Sequence, residues 1–129
     1  MSKSVLIVDD DLEHCVIAEA FISGLDSSID IRITTSPLDA IEIVKNNSVD
    51  CIISDFIMPG LNGIELLDIL REVGYQKLFI ILTGHPMEII EPEAKAAGVS
   101  AIYEKNTTFS VYYDVIKMVN DSEEKIDAL

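Results

Sequence analysis

The sequence predicts an α/β protein: one parallel sheet with helices on both faces. Three observations carry the prediction. Short apolar runs alternate five times with longer stretches whose apolar residues recur at helical spacing. The runs are rich in Val and Ile and continuous rather than alternating, as strands buried on both faces are. Most stop at a polar group, and open parallel sheets bind ligands at the carboxyl ends of their strands.

The first run, residues 5–8, ends in Asp9 and Asp10. Residues 11 to about 24 follow as a helix, with apolar rows Leu12/Val16/Ala20 and Ile17/Phe21/Leu25 and with Gly24 as its stop. Residues 29–34 form the second strand. Ser36-Pro37 is an N-cap followed by a first-turn proline, opening a helix to about Asn46. Residues 51–54 form the third strand and end in Asp55. Pro59-Gly60-Leu61-Asn62-Gly63 is turn chemistry, and a helix carrying Leu66, Leu70 and Val73 comes next. Residues 78–82 form the fourth strand and end in Thr83. Pro92 costs about 3 kcal/mol inside a helix but is tolerated in its first turn. The fourth helix is therefore either short, from near Pro92 to Ala97, or longer and kinked, and Gly98 ends it. Residues 101–103 are a short fifth strand, followed by Lys105. Thr107 or Thr108 caps the last helix, with Tyr112, Val115, Ile116 and Val119 on one face.

Regular alternation of this kind implies right-handed crossovers and helices on both faces of the sheet. Five strands in a chain of 129 residues favour the flavodoxin-like strand order, a doubly wound (βα)5 sheet. The length fits a single domain, expected to span residues 1–129 with no output domain attached. The first strand is followed neither by GxGxxG nor by a P-loop, which argues against dinucleotide and P-loop nucleotide binding. There is no apolar run of about 18 residues, so no membrane insertion is expected. The start, Met-Ser-Lys-Ser, leads directly into a strand without a signal-peptide core, and the expected location is cytoplasmic. Cys15 and Cys51 lie in apolar contexts and read as small buried hydrophobes. The net charge of −14 disfavours direct nucleic-acid binding. Part of that charge sits at Asp9-Asp10-Asp11, and part lies in a solvated tail with Asp121, Glu123, Glu124 and Asp127.

Four strand ends thus bring carboxylates, a hydroxyl and an ammonium to one edge of one sheet. Clustered carboxylates repel unless a cation binds or their pKa values rise. Mg²⁺ suits them, being hard and commonly held by one or two carboxylates plus phosphate and water. With a cation present, Asp55 can stay ionised and act as a nucleophile toward a phosphoryl donor. Lys105 would balance charge on the phosphoryl oxygens, and Thr83 would donate its hydroxyl to one of them.

Val8-Asp9-Asp10-Asp11, Asp55-Phe56-Ile57-Met58-Pro59-Gly60-Leu61-Asn62-Gly63, Leu82-Thr83-Gly84-His85 and Lys105 resemble the receiver domain of two-component response regulators. The similarity covers nearly the whole chain, and the segment from Asp55 to Gly63 is its most specific part. The resemblance implies that Asp55 accepts a phosphoryl group from a histidine kinase. It implies Mg²⁺ on Asp10, Asp55 and the backbone carbonyl of Ile57, with Asp9 supporting the metal through water. Thr83 and Lys105 take the phosphate-contacting roles.

Two positions depart from the family pattern. Family members often carry an aromatic switch residue three positions before the lysine, where this chain has Ile102. Its neighbour Tyr103 is expected on the opposite face of the strand. Asn106 stands where the family commonly has a proline, so a trans bond is expected there. His14 reads as a solvated surface group of the first helix, and His85 as a loop residue near the site. Output is expected through the surface of the fourth helix, fifth strand and last helix, with rearrangement mainly in residues 84–92.

The expected function is that of a single-domain response regulator, not an enzyme, signalling to a downstream protein through a protein-binding face. One alternative is a phosphorelay intermediate that passes the phosphoryl group to a histidine phosphotransfer protein. A minor one is a small aspartyl-phosphate phosphatase with Asp9 as nucleophile and Asp11 as its partner carboxylate. That reading leaves the Asp55 segment unexplained.

Overall fold

A computed structural model describes residues 2–105 and 110–127, the last five of these by their backbone alone. Its elements are β1 (Ser4–Val8), α1 (Leu12–Leu25), β2 (Asp30–Thr34), α2 (Pro37–Asn46), β3 (Cys51–Asp55), α3 (Gly63–Glu72), β4 (Leu78–Thr83), α4 (Met87–Ala97), β5 (Ala101–Glu104) and α5 (Ser110–Asp127). The strands form one parallel sheet in the order β2-β1-β3-β4-β5, the flavodoxin-like arrangement. Chain progression reverses between β1 and β3. That switch point opens a crevice at the strands' carboxyl ends.

Alternate strand residues feed two cores. Val5, Ile7, Cys51, Ile53, Ile80 and Leu82 face α1 and α5. Leu6, Val8, Ile52, Phe79 and Ile81 face α2, α3 and α4. Both cysteines are buried and free.

Local chemistry explains most element ends. Asp11 caps α1, its carboxylate accepting from the N–H groups of Glu13 (3.0 Å) and His14 (3.4 Å). The Ser36 hydroxyl accepts from Asp39 N–H, and Pro37 takes the first turn of α2. Asn62 and Glu65 form a reciprocal capping box on α3. Gly98 closes α4 in the left-handed region, at φ +88°.

The first helix differs from expectation in two ways. Gly24 lies inside α1, which ends at Leu25 against an extended Asp26. The buried face of α1 is Cys15, Ala18 and Ile22, whereas Leu12 (59% exposed), Val16 (51%), Ile17 (52%) and Phe21 (40%) point outward. The small Cys15 and Ala18 let the first turns of the helix lie close on the sheet, Ile22 fills the core further along, and the remaining large apolar residues are left toward solvent. Phe21 still stacks on Tyr112 of α5, with ring centroids 5.4 Å apart. Of the residues expected on α3, Leu66 and Leu70 are buried, but Val73 is the exposed C-cap.

The fourth helix takes the longer of its two expected forms, with Pro92 in its interior. Ile102 and Tyr103 do face opposite cores, Ile102 toward α4 and Tyr103 toward α5. The peptide of Asn106 and the cap expected at Thr107 or Thr108 lie outside the described residues. Among the described residues, no helix is long and apolar enough to cross a membrane.

Candidate functional site

The site straddles the switch point. Asp9 follows β1, Asp55 ends β3, and the two strands are direct neighbours, with Val8 beside Ser54. Thr83 ends β4 and Lys105 follows β5. Lys105 N–H donates to the Thr83 carbonyl at 2.8 Å, which ties these two strand ends together.

Asp9 is almost fully buried. Its Oδ1 accepts from Asp11 N–H at 3.0 Å, and its Oδ2 lies 2.8 Å from Lys105 Nζ. The same Nζ lies 3.1 Å from Asp55 Oδ2, so one ammonium bridges the two carboxylates. Asp55 Oδ1 accepts from Phe56 N–H at 2.7 Å. Asp10 is exposed at the rim. Asp9, Asp10 and Asp55 each offer a carboxylate oxygen, all within 4.8 Å of one another. Three hard oxygen donors at that spacing fit a Mg²⁺ ion that keeps part of its water shell.

The electrostatics differ between the two bridged acids. Burial raises the pKa of Asp9, but His14, Lys105 and the Asp11 N–H outweigh it and bring the value down to about 2. Burial and the negative charge of Asp9 push Asp55 upward, against the opposing pull of Lys105. Burial works against the Lys105 charge, and its two carboxylates more than restore it, so its pKa is raised. Three carboxylates against one ammonium leave the site an excess of negative charge, which a divalent cation would relieve.

The loop after Asp55 is held tightly. Gly63 N–H donates to the Phe56 carbonyl at 2.7 Å, and a Cβ on Gly63 would stand 2.8 Å from the Asp55 carbonyl oxygen. Only glycine allows the start of α3 to press on Asp55 in this way. Ile57, two residues past Asp55, has a largely exposed side chain. Thr83 is fully buried, and its Oγ1 accepts from His85 N–H at 3.0 Å. Thr83, Gly84, His85, Pro86, Glu104 and Lys105 line a cavity of about 520 Å³ beside the acids.

His14 is not the solvated surface group expected of it. Its Nδ1 lies 2.9 Å from Asp9 Oδ2, with the side chain 19% exposed. Placing the apolar face of the first helix along Leu12 and Val16 turns His14 toward solvent. The Cys15-Ala18-Ile22 spacing of small and apolar residues is the signal that places it beside the sheet.

A doubly wound sheet with acids paired across its switch point and a lysine shared between them defines a class of phosphoryl-handling α/β domains. The sequence profile of the response regulator receiver domain matches residues 5–117. The chain belongs to that family, and it is a receiver domain of two-component signalling. Receiver domains are signalling phosphoacceptors, bind Mg²⁺ at an acidic pocket and interact with histidine kinases.

Two-component response regulator 24 of Arabidopsis thaliana is 26% identical over 118 residues, which covers 91% of this chain and 84% of that protein. The phosphoglycerate transport system transcriptional regulatory protein PgtA of Salmonella typhimurium is 31% identical over 83 residues, covering 64% of this chain and 19% of that protein. The chain spans only about a fifth of PgtA and of the transcriptional regulatory protein ZraR of Klebsiella oxytoca. The solved CheY-like receiver domain protein of Methanospirillum hungatei superposes with a TM-score of 0.86 at 22% identity, covering 97% of this chain and 98% of that one. That likeness bears on the fold.

Proposed function

We propose that Asp55 is the phosphoacceptor and that the donor is a phosphohistidine of a histidine kinase. The observation that carries the reading is the Lys105 bridge between Asp9 and Asp55 at the switch point. Phe56 N–H holds Oδ1 of Asp55, leaving Oδ2, on the Lys105 side, to face an incoming phosphorus. In the transfer, an Asp55 oxygen forms a bond to phosphorus while the phosphorus–nitrogen bond breaks. The electron pair of that bond returns to the imidazole. Lys105 moves its charge onto a phosphoryl oxygen, and the Thr83 hydroxyl donates to another. Asp10, Asp55 and the Ile57 carbonyl would hold Mg²⁺, with Asp9 behind them. When bound, the ion neutralises phosphoryl charge.

Residues 1–129 then work as one receiver unit in the cytoplasm, without direct nucleic-acid contact. The outgoing partner is a downstream protein or a histidine phosphotransfer protein. Against the phosphatase reading stands the Asp55 segment, which that reading leaves unexplained, while Asp11 Oδ1 is engaged as the cap of α1.

Incubation with labelled acetyl phosphate and Mg²⁺ tests the assignment. The wild-type protein takes up label, and Asp55→Asn, still folded by circular dichroism, takes up none. Full labelling of that variant would sink the assignment.

A further inference from the structure

We propose that His14 is the reserve partner of Asp9, a positioning residue that takes over the Asp9 carboxylate when Lys105 leaves it for a phosphoryl group on Asp55. The inference rests on the reading of Asp55 and Lys105 just given, and it adds a residue that the reading does not use.

Two groups compete for Oδ2 of Asp9. Lys105 Nζ holds it at 2.8 Å, and His14 Nδ1 approaches to 2.9 Å. The Asp9 side chain is 3% exposed, so water has little access to it. Once the ammonium moves toward Asp55, Oδ2 loses its partner and only Oδ1 stays bonded, through the Asp11 N–H. A buried carboxylate that loses its direct cation contact is left under-compensated, even with a metal ion one water away. Left uncompensated, it would resist the very movement that phosphorylation requires.

His14 carries the complementary deficit. Its Nδ1 is buried and lies near enough to the carboxylate to favour its charge, yet the contact is not a well-directed hydrogen bond. Unpaired buried polar atoms are few in native proteins, and each calls for a reason. Here a small rotation of the ring brings an Nδ1–H into line with Oδ2. The ring needs no larger movement, because its backbone is fixed. Asp11 accepts from His14 N–H in the first turn of α1, and the next residue, Cys15, donates its thiol to the Asp9 carbonyl at 3.4 Å. The corner from Asp9 to Cys15 is thus closed on itself, with His14 held over the acid. In the resting state Lys105 is the well-placed partner of the carboxylate, and the imidazole contact, though close enough to favour the ionised acid, is poorly directed. In the phosphorylated state each satisfies the other, and no proton changes owner.

Beryllofluoride, which mimics the phosphoryl group, gives the test on the intact protein with Mg²⁺. His14→Ala is expected to weaken beryllofluoride binding about tenfold, the worth of one hydrogen bond to a charged group. Half-saturation by Mg²⁺ alone should shift much less, because Lys105 serves Asp9 in that state. His14→Asn, which keeps a donor near the Nδ1 position, should recover part of the loss. In wild-type protein labelled with ¹⁵N-histidine, the His14 Nδ1 resonance should move to its hydrogen-bonded position on adding beryllofluoride. This readout does not depend on a variant folding, and a merely structural role would not move it. An unmoved resonance under saturating beryllofluoride, or an alanine variant that binds as tightly as wild type, overturns the inference. Beryllofluoride binding that survives intact in Asp55→Asn overturns the site reading itself, and the inference with it.

Discussion

At the residue scale, Asp9 and Asp55 share one lysine yet respond to acid in opposite directions. Asp9 titrates near 2 in the folded protein, below its ordinary 3.8. A lowered pKa stabilises the fold at every pH above the unfolded value, and the contribution disappears as pH falls through the folded one. The gap is worth about 2 kcal/mol. Asp55 is shifted upward. Its ionisation therefore opposes folding at neutral pH, and stability rises as pH falls through its folded pKa toward 3.8. An acid titration of metal-free protein, followed by urea unfolding, should show a shallow rise in stability and then a steep fall. Asp55→Asn should be more stable than wild type at pH 7 without metal, and should lose the rise. Asp9→Asn should be less stable by about 1–2 kcal/mol. An Asp55→Asn variant weaker than wild type would contradict this account of the bridge.

The acids, Thr83 and Lys105 were legible as residues because each stands where a buried strand ends, and topology alone then brings them together. His14 was not legible in the same way. Its place depends on which face α1 buries, and that face begins with the small Cys15 and Ala18 and carries only one large apolar residue, Ile22, so the more numerous large residues elsewhere on the helix outweigh it.

At the element scale, sequence and structure agree best where a helix end has its own chemistry. Ser36-Pro37 and Asn62-Glu65 each carry the hydrogen bonds that start their helix, so nothing distant is needed to place it. The fourth helix shows the opposite case. Pro92 removes one helical donor, and propensity alone cannot choose between a short and a long form. Packing decides, because Ile90 and Ala94, on either side of Pro92, are both buried in the core over β4. The missing bond would have joined residue 92 to the Glu88 carbonyl, and the helix has no side-chain cap at Pro86. Pro92→Ala restores the bond while returning some conformational freedom to the unfolded chain. The first effect is worth up to about 3 kcal/mol and the second about 1 kcal/mol, so a net gain of about 1–2 kcal/mol is expected. Amide exchange should report it as slower opening of residues 84–97. Faster exchange there would show that the proline fits α4 better than alanine does. The same segment is the proposed route of output, since Ile102, facing α4, is a branched aliphatic that changes its exposure less than a swinging ring.

At the scale of the whole molecule, the site sets how stability depends on metal. Binding that favours only the folded state stabilises by mass action, by about 2.7 kcal/mol at a hundred times the dissociation constant. Thermal melts should therefore rise with Mg²⁺, and the rise should shrink in Asp10→Asn, which leaves the buried Lys105 bridge intact. Equal shifts in the two proteins would place the ion elsewhere.

The two outward apolar rows of α1 have a consequence of a different kind. A molecule with a net charge of −14 is surrounded by a field that pushes away its own copies well before they touch. In about 0.1 M salt this field decays over roughly 10 Å. Leu12, Val16, Ile17 and Phe21 act only at contact. Repulsion at a distance with adhesion at close range amounts to a kinetic filter. Collisions between copies are turned back before these side chains meet. Lowering the charge would remove the shield without touching these side chains.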